Sequence, residues 1–127
     1  MTNVVVDTSA VIAVIKDEPG GERAADHARG GHMSALNYCE IVGWLAERGS
    51  TANDIEKFVA PFALTVDVFD RARATAAGLL AAKTMRRGIS LGDRACLALA
   101  TELGLPVVTG DRAWRDLELG VEIRLIR

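Results

Sequence analysis

Carboxylates that follow two short hydrophobic runs are the residues whose types and spacing suggest chemistry in this sequence. Asp7 follows a Val-Val-Val run at residues 4–6, and Asp111 follows residues 107–109 after one glycine. Short β-branched runs of this kind are typical of buried strands. In parallel sheets, ligands bind outside the carboxyl ends of the strands. If these two strands are neighbours, both carboxylates lie at one site.

Two more carboxylates lie near the starts of predicted helices. Glu40 is in the second turn of a helix predicted over residues 36–48, and Asp93 follows Ser90 in a Ser-x-x-Asp pattern that resembles a capping box. The first of these helices follows a predicted strand and so begins at the edge where the strands end. Capping geometry directs Asp93 toward the same edge. We therefore expect all four carboxylates to converge there.

Each of these carboxylates also has an ordinary structural role. Asp7 could cap the helix that follows it, and Asp93 could serve only its capping box. Asp111 could anchor a turn, and Glu40 could face solvent. Taken together, four carboxylates at one edge would repel one another unless a divalent cation lay among them. Oxygen ligands without His or Cys favour Mg²⁺ or Mn²⁺, which activate water and stabilise leaving phosphate oxygens, so the pattern indicates phosphodiester hydrolysis.

The order of predicted elements sets the architecture that must position these groups. Strands alternate with helices, which predicts one α/β domain over residues 1–127, with a mostly parallel central sheet and helices on both faces. Ser50 or Asn53 is expected to cap the fourth helix. The predicted strands cover residues 3–6, 32–34, 64–66, 106–109 and 121–126, and the predicted helices cover residues 8–16, 22–29, 36–48, about 53–62, 68–87 and 91–103.

Composition excludes several classes of protein. The chain has 127 residues, of which 50% are hydrophobic and 25% charged, so it is neither disordered nor collagen-like. Its longest small and apolar run, residues 76–82, is far shorter than the roughly 20 residues of a membrane-spanning helix. Positions 1–3 lack the basic residues of a secretory signal, so a cytoplasmic location is expected. Cys39 and Cys96 are expected to be small buried residues.

The charge distribution points weakly to a phosphate-facing surface. The chain is net −2, but residues 1–69 carry 5 basic and 10 acidic side chains, whereas residues 70–127 carry 10 basic and 7 acidic ones. Trp114 could stack on a base, although packing against the sheet is the preferred interpretation. Three arginines beside these carboxylates could bind phosphates or form surface ion pairs: Arg94, Arg112 and Arg115.

Four segments, in this order, resemble the motifs of PIN-domain ribonucleases. They are VVVDTSA at residues 4–10, NYCEIV at 37–42, SLGDRA at 90–95 and VVTGDRAW at 107–114. Each motif alone is weakly specific, but the ordered set spans nearly the whole chain. Its length and pattern are similar to those of the VapC group, the toxins of bacterial toxin–antitoxin pairs.

The resemblance implies an Mg²⁺- or Mn²⁺-dependent endoribonuclease that uses metal-activated water and is held inactive by a VapB-type antitoxin. It also implies a homodimer that acts on structured RNA such as transfer RNA. The implied acidic cluster is Asp7, Glu40, Asp93 and Asp111, of which Asp7 and Asp93 are expected to bind the metal directly. The implied supporting residues are the hydroxyls of Thr8, Ser9 and Thr109, and a further carboxylate, Asp116.

Other functions fit part of the pattern. A housekeeping PIN nuclease of RNA processing would share all four motifs. A haloacid dehalogenase-type phosphatase usually has a second Asp two residues after the first, where this chain has Ser9. A receiver domain usually needs a Lys after a late strand, and residues 107–110 contain none. A non-catalytic binding module would not need four carboxylates.

Overall fold

A five-stranded parallel sheet lies at the centre of the computed structural model, which describes residues 3–85 and 87–127. The strands are β1 (Val5–Val6), β2 (His32–Ser34), β3 (Thr65–Asp67), β4 (Val107–Thr109) and β5 (Ile123–Leu125). Their order across the sheet is β3-β2-β1-β4-β5, and each neighbouring pair is parallel. The strand order reverses beside β1, where a parallel sheet leaves a crevice for a ligand.

Six helices in the described residues connect and cover these strands. They are α1 (Thr8–Ile15), α2 (Gly21–Ala28), α3 (Ala35–Glu47), α4 (Ala52–Val59), α5 (Arg71–Lys83) and α6 (Leu91–Leu103). Short 3₁₀ helices follow α4 at Ala60–Phe62 and β4 at Arg112–Asp116. No helix in the described part of the chain is long and apolar enough to cross a membrane.

The core lies on both faces of the sheet because successive strand residues point to opposite sides. Val6 and Val108 pack with residues of α1 and α3 on one face. Val5 and Val107 pack with α6 and the fully buried Trp114 on the other. The predicted α/β fold with helices on both faces is therefore confirmed. Trp114 packs against the sheet, which is the interpretation that the sequence favoured, and it is not available to stack on a base.

The boundaries of α4 and α5 differ from the prediction. Thr51, and not Ser50 or Asn53, caps α4, since its hydroxyl accepts from the Asp54 amide at 3.2 Å while the Asp54 carboxylate accepts from the Thr51 amide at 3.0 Å. Helix α5 begins only after Asp70, whose carboxylate caps it by accepting from the Arg73 amide at 3.0 Å. The Val68–Asp70 stretch is therefore not helical, and α5 ends at Lys83.

Smaller differences affect the ends of the sheet. Strand β3 is shifted by one residue from the predicted 64–66, and β5 is shorter than the predicted 121–126. The described residues do not include Met1, Thr2 or Arg86. The prediction about a secretory signal at positions 1–3 and the predicted end of the fifth helix at residue 87 therefore lie partly outside them.

Strand β1 lies between β2 and β4, so the two strand-end carboxylates share one edge. Val5 and Val6 are in register with Val107 and Val108. The Asp7 amide then donates to the Val108 carbonyl at 3.0 Å. The predicted adjacency of these two strands is confirmed, and it brings the chain segments that carry Asp7 and Asp111 together.

Candidate active site

Asp7 is the buried centre of a hydrogen-bond network at the end of β1. The residue as a whole is only 4% exposed. Oδ2 accepts from the Ser9 hydroxyl at 2.5 Å and from the Thr109 hydroxyl at 2.9 Å. Those hydroxyls in turn accept from the amides of Gly110, at 2.9 Å, and Asp111, at 3.1 Å. The Ser9 amide also donates to Oδ2, at 3.4 Å, so Asp7 caps α1 as well. Oδ1 receives no hydrogen bond from the described residues.

The environment of Asp7 favours its protonated form. Burial raises its pKa from 3.8 to about 6, and the negative charge of Asp93 adds to the rise. The hydrogen bonds from Ser9 and Thr109 act in the opposite direction but do not cancel the effect of burial. A positive charge at this edge would therefore be favoured.

Glu40 lies on the exposed side of α3, where two donors hold it. Its Oε1 accepts from the Thr8 hydroxyl at 2.8 Å and from the Asn37 amide at 3.0 Å. Gly92 lies so close to this carboxylate that a Cβ at position 92 would collide with both of its oxygens. Sequence reasoning missed Asn37 and Gly92, although both lie inside the quoted motifs; Asn37 is one helical turn before Glu40 and shares its face.

Asp93 combines two roles that looked like alternatives in the sequence. Its carboxylate accepts from the Ser90 amide at 2.9 Å, and its own amide donates to the Ser90 hydroxyl at 3.1 Å, which completes the predicted capping box of α6. Burial raises its pKa, and the charges of Asp111 and Glu40 raise it further. Asp93 is thus a helix cap that also lies within the field of the other carboxylates.

Asp111 starts the 3₁₀ helix after β4. Its Oδ1 accepts from the Ala113 amide at 2.9 Å, as expected for a carboxylate that anchors a turn. It is half-buried and close enough to Asp93 to raise the pKa of that residue. Asp111 therefore both anchors a turn and belongs to the carboxylate cluster.

The cluster is an uncompensated region of negative charge. The pKa of the buried Cys96 thiol lies well above its usual value because of its burial and the charges of Asp7, Asp93 and Glu40. Within residues 3–85 and 87–127, none of the four carboxylates forms an ion pair. The donor set consists of oxygens with no cationic partner, which fits Mg²⁺ or Mn²⁺ in its chemistry. As positioned, however, no three acidic, His or Cys side chains of the described residues are close enough to hold one metal ion.

Comparison with known proteins assigns the chain to a family. Residues 4–119 match the family model of the PIN domain. The chain belongs to the PIN-domain family. No curated protein sequence matches the chain. The family resemblance drawn from the four motifs is confirmed.

Solved structures share the fold of this PIN domain at low sequence identity. A chain of a toxin–antitoxin complex from Klebsiella pneumoniae is 13% identical, with a TM-score of 0.75 and 98% of both chains covered. A chain of VapBC2 from Rickettsia felis, bound to a promoter DNA fragment, is 14% identical, with a TM-score of 0.69 and coverage of 97% and 98%. A chain of DNA-bound VapBC from Salmonella typhimurium is 20% identical, with a TM-score of 0.68 and full coverage of both chains.

The structure separates the other predicted site residues of this PIN domain into two groups. Thr8 contacts Glu40, and Ser9 and Thr109 contact Asp7, so these hydroxyls lie within the site. The second group, three arginines and Asp116, forms no hydrogen bond with the four carboxylates in the described residues. Arg112, Arg115 and Asp116 are exposed on the 3₁₀ helix, and the half-buried Arg94 directs Nη1 to the Ile89 carbonyl at 3.2 Å.

The two cysteines differ in exposure. Cys96 is fully buried beneath the acidic cluster, as expected. Cys39 is exposed, so the prediction that it is buried is wrong. The reason is helical geometry, because residue 39 lies about 200° around α3 from the buried Asn37 and Ile41, on the opposite side of the helix.

Proposed function

We propose that this PIN domain is a divalent metal-dependent endoribonuclease and the toxin of a VapBC-type toxin–antitoxin pair. The observation that carries the proposal is the uncompensated carboxylate cluster at the carboxyl edge of β1 and β4 in a PIN-domain fold. The proposed substrate is structured RNA such as transfer RNA, and the proposed active form is a homodimer. The proposed metal ligands are Asp7 and Asp93, assisted by Glu40 and Asp111.

The chain's own residues prepare this site for a cation. Ser9 and Thr109 occupy Oδ2 of Asp7, which fixes the carboxylate and leaves Oδ1 for a ligand. Thr8 holds Oε1 of Glu40 in the same way. A bound Mg²⁺ or Mn²⁺ would activate water for attack and stabilise the leaving oxygen. The buried position of Asp7 strengthens its interaction with any positive charge.

Exposed arginines beside the cluster would contact the RNA backbone. Arg112 and Arg115 lie on the 3₁₀ helix that begins next to Asp111, on the chain's more basic half. Phosphate contacts of this kind give affinity without sequence preference. Arg94 is less suited to this role because it is half-buried, whereas Arg112 and Arg115 are exposed.

RNA cleavage with and without metal tests the proposed activity. We expect purified protein to cleave total cellular RNA with Mg²⁺ or Mn²⁺ and not with EDTA. Asp111→Asn should lower the cleavage rate about tenfold, since outer carboxylates of metal sites contribute on this scale. An Asn can still accept from the Ala113 amide, so the turn is kept.

Glu118→Gln is the matched control because it removes the same charge at an exposed residue just after the same 3₁₀ helix, outside the proposed site. Its cleavage rate should equal that of the wild type. Equal cleavage rates for the wild type and Asp111→Asn would show that Asp111 is not part of the site. Cleavage that persists in EDTA would contradict the proposed metal dependence.

The proposed partner is a VapB-type antitoxin that neutralises the cluster. An antitoxin arginine could pair bidentately with these carboxylates and relieve their repulsion. We expect expression of the chain to arrest growth and co-expression of a neighbouring antitoxin gene to restore it, measured as optical density over time. A gene that stands alone and leaves growth unaffected would contradict the toxin role and favour a housekeeping PIN nuclease.

A further inference from the structure

Asn37 is a fully buried polar side chain that contacts two parts of the candidate site. Its amide nitrogen donates to Oε1 of Glu40 and to the Gly92 carbonyl, both at 3.0 Å. We propose that Asn37 is the positioning residue that fixes the Glu40 carboxylate against the start of α6. This inference rests on the proposed function, because it assigns Asn37 a part in metal binding at the same site.

The first part of the argument is the orientation of Glu40. An exposed glutamate samples many side-chain rotamers, and ordering it costs conformational entropy. Here Asn37 and Thr8 both donate to Oε1, so the carboxylate is held in one orientation. Oε2 receives no hydrogen bond from the described residues and stays available for a ligand.

The second part is the link between two helices. The Asn37 amide that holds Glu40 on α3 also holds the carbonyl of Gly92, the residue before Asp93 on α6. A single side chain therefore links the two segments that carry these carboxylates. Thr8, at the start of α1, adds a third segment through its hydroxyl contacts with Glu40, at 2.8 Å, and the Asn37 carbonyl, at 3.3 Å.

The third part is that Asn37 is poorly suited to a purely structural role. Its Oδ1 is buried and has no hydrogen-bond partner in the part of the chain that the structure describes. A buried acceptor without a partner is unfavourable, and an apolar side chain of similar size would fill the same space without that cost. The two hydrogen bonds that Asn37 donates to the site account for an amide at this position.

Mn²⁺ titration calorimetry of the metal-free protein tests the inference without relying on cleavage. Asn37→Leu keeps the side-chain size and removes the donor. We expect its Mn²⁺ affinity to be 10- to 100-fold weaker than that of the wild type, the range known for residues that orient metal ligands. Asn37→Ala lacks the same donor and should show the same loss if the leucine variant does not fold.

Thr84→Val is the matched control. Thr84 is also buried, and its hydroxyl donates to the Leu80 carbonyl at 2.8 Å within α5. This variant should melt at a lower temperature than the wild type but bind Mn²⁺ with unchanged affinity. A folded Asn37 variant with wild-type Mn²⁺ affinity would overturn the inference and leave the proposed function intact. A wild-type protein that binds no Mn²⁺ would overturn the proposed metal site and the inference with it.

Discussion

Asp7→Asn is expected to abolish RNA cleavage and, in EDTA at neutral pH, to make the protein more stable than the wild type. The loss of cleavage should be on the order of a thousandfold, the scale seen when a charge-stabilising group is removed from an active site. The fold should survive, because the side-chain oxygen of Asn can still accept from Ser9 and Thr109. Cleavage is measured as kcat/KM on a defined RNA.

The gain in stability follows from the pKa of Asp7, which burial raises from 3.8 to about 6. Between these pH values the folded protein retains a proton that the unfolded chain has released, so stability falls as pH rises and the loss is complete above about pH 6. A rise of about two pKa units corresponds to about 3 kcal/mol. Asp7→Asn removes this loss, so its melting temperature at pH 7.5 should be higher by on the order of 10 °C.

The pH profile and a matched control separate this cause from others. The difference in melting temperature should approach zero as the pH is lowered to about 3.5, where Asp7 is protonated in both states. Asp54 has the opposite behaviour, since hydrogen bonds from Thr51 lower its pKa. Its ionised form adds stability that is lost as the pH falls, so Asp54→Asn should not raise the melting temperature.

Metal should reverse the order of the two proteins. At a metal concentration 1,000 times Kd, a ligand that binds only the folded state stabilises it by ~4.1 kcal/mol, which exceeds the loss caused by Asp7, and Asp7→Asn should gain much less. An Asp7→Asn variant that melts at or below the wild type in EDTA at pH 7.5 would contradict the electrostatic account.

Positions fixed by strand ends and helix caps were predictable from the sequence. Asp7 and Asp111 follow hydrophobic runs whose β-branched residues identify them as strands, and a parallel sheet brings such ends together. Asp93 was predictable because a capping box is a local pattern of four residues. In each case a rule that acts over a few residues determines where the carboxylate lies.

The contacts that orient the cluster were not predictable in the same way. The hydrogen bond from Asn37 to the Gly92 carbonyl joins residues 55 positions apart, and no periodic pattern marks it. The collision between Glu40 and a Cβ at position 92 depends on how closely α3 and α6 approach. Local competition explains the α4 boundary, because Ser50, Thr51 and Asn53 are all good caps and both Thr51 and Asn53 have an acidic residue three positions later. The structure pairs Thr51 with Asp54 in the capping box.

Gly92→Ala is expected to lower kcat/KM for RNA about 100-fold while leaving the protein folded. Gly92 is in the first turn of α6, where alanine is the better helix former, so local propensity predicts higher stability. The added Cβ, however, would occupy the space of the Glu40 carboxylate. That carboxylate is the end of a flexible side chain, so it can move away at little cost and lose its contacts with Asn37 and Thr8. A displacement of about 1 Å at an active site reduces the rate on this scale.

Two comparisons isolate the collision as the cause. Gly78→Ala places the same methyl group in the middle of α5, where the new Cβ meets nothing within 4 Å beyond its chain neighbours and the nearby helix backbone, so it should leave cleavage unchanged. In a Glu40→Ala background the space is already empty, and adding Gly92→Ala should cause no further loss. Additive losses in that double variant would mean that residue 92 acts independently of Glu40. Non-additive losses would show that glycine at position 92 serves to let the carboxylate lie against α6.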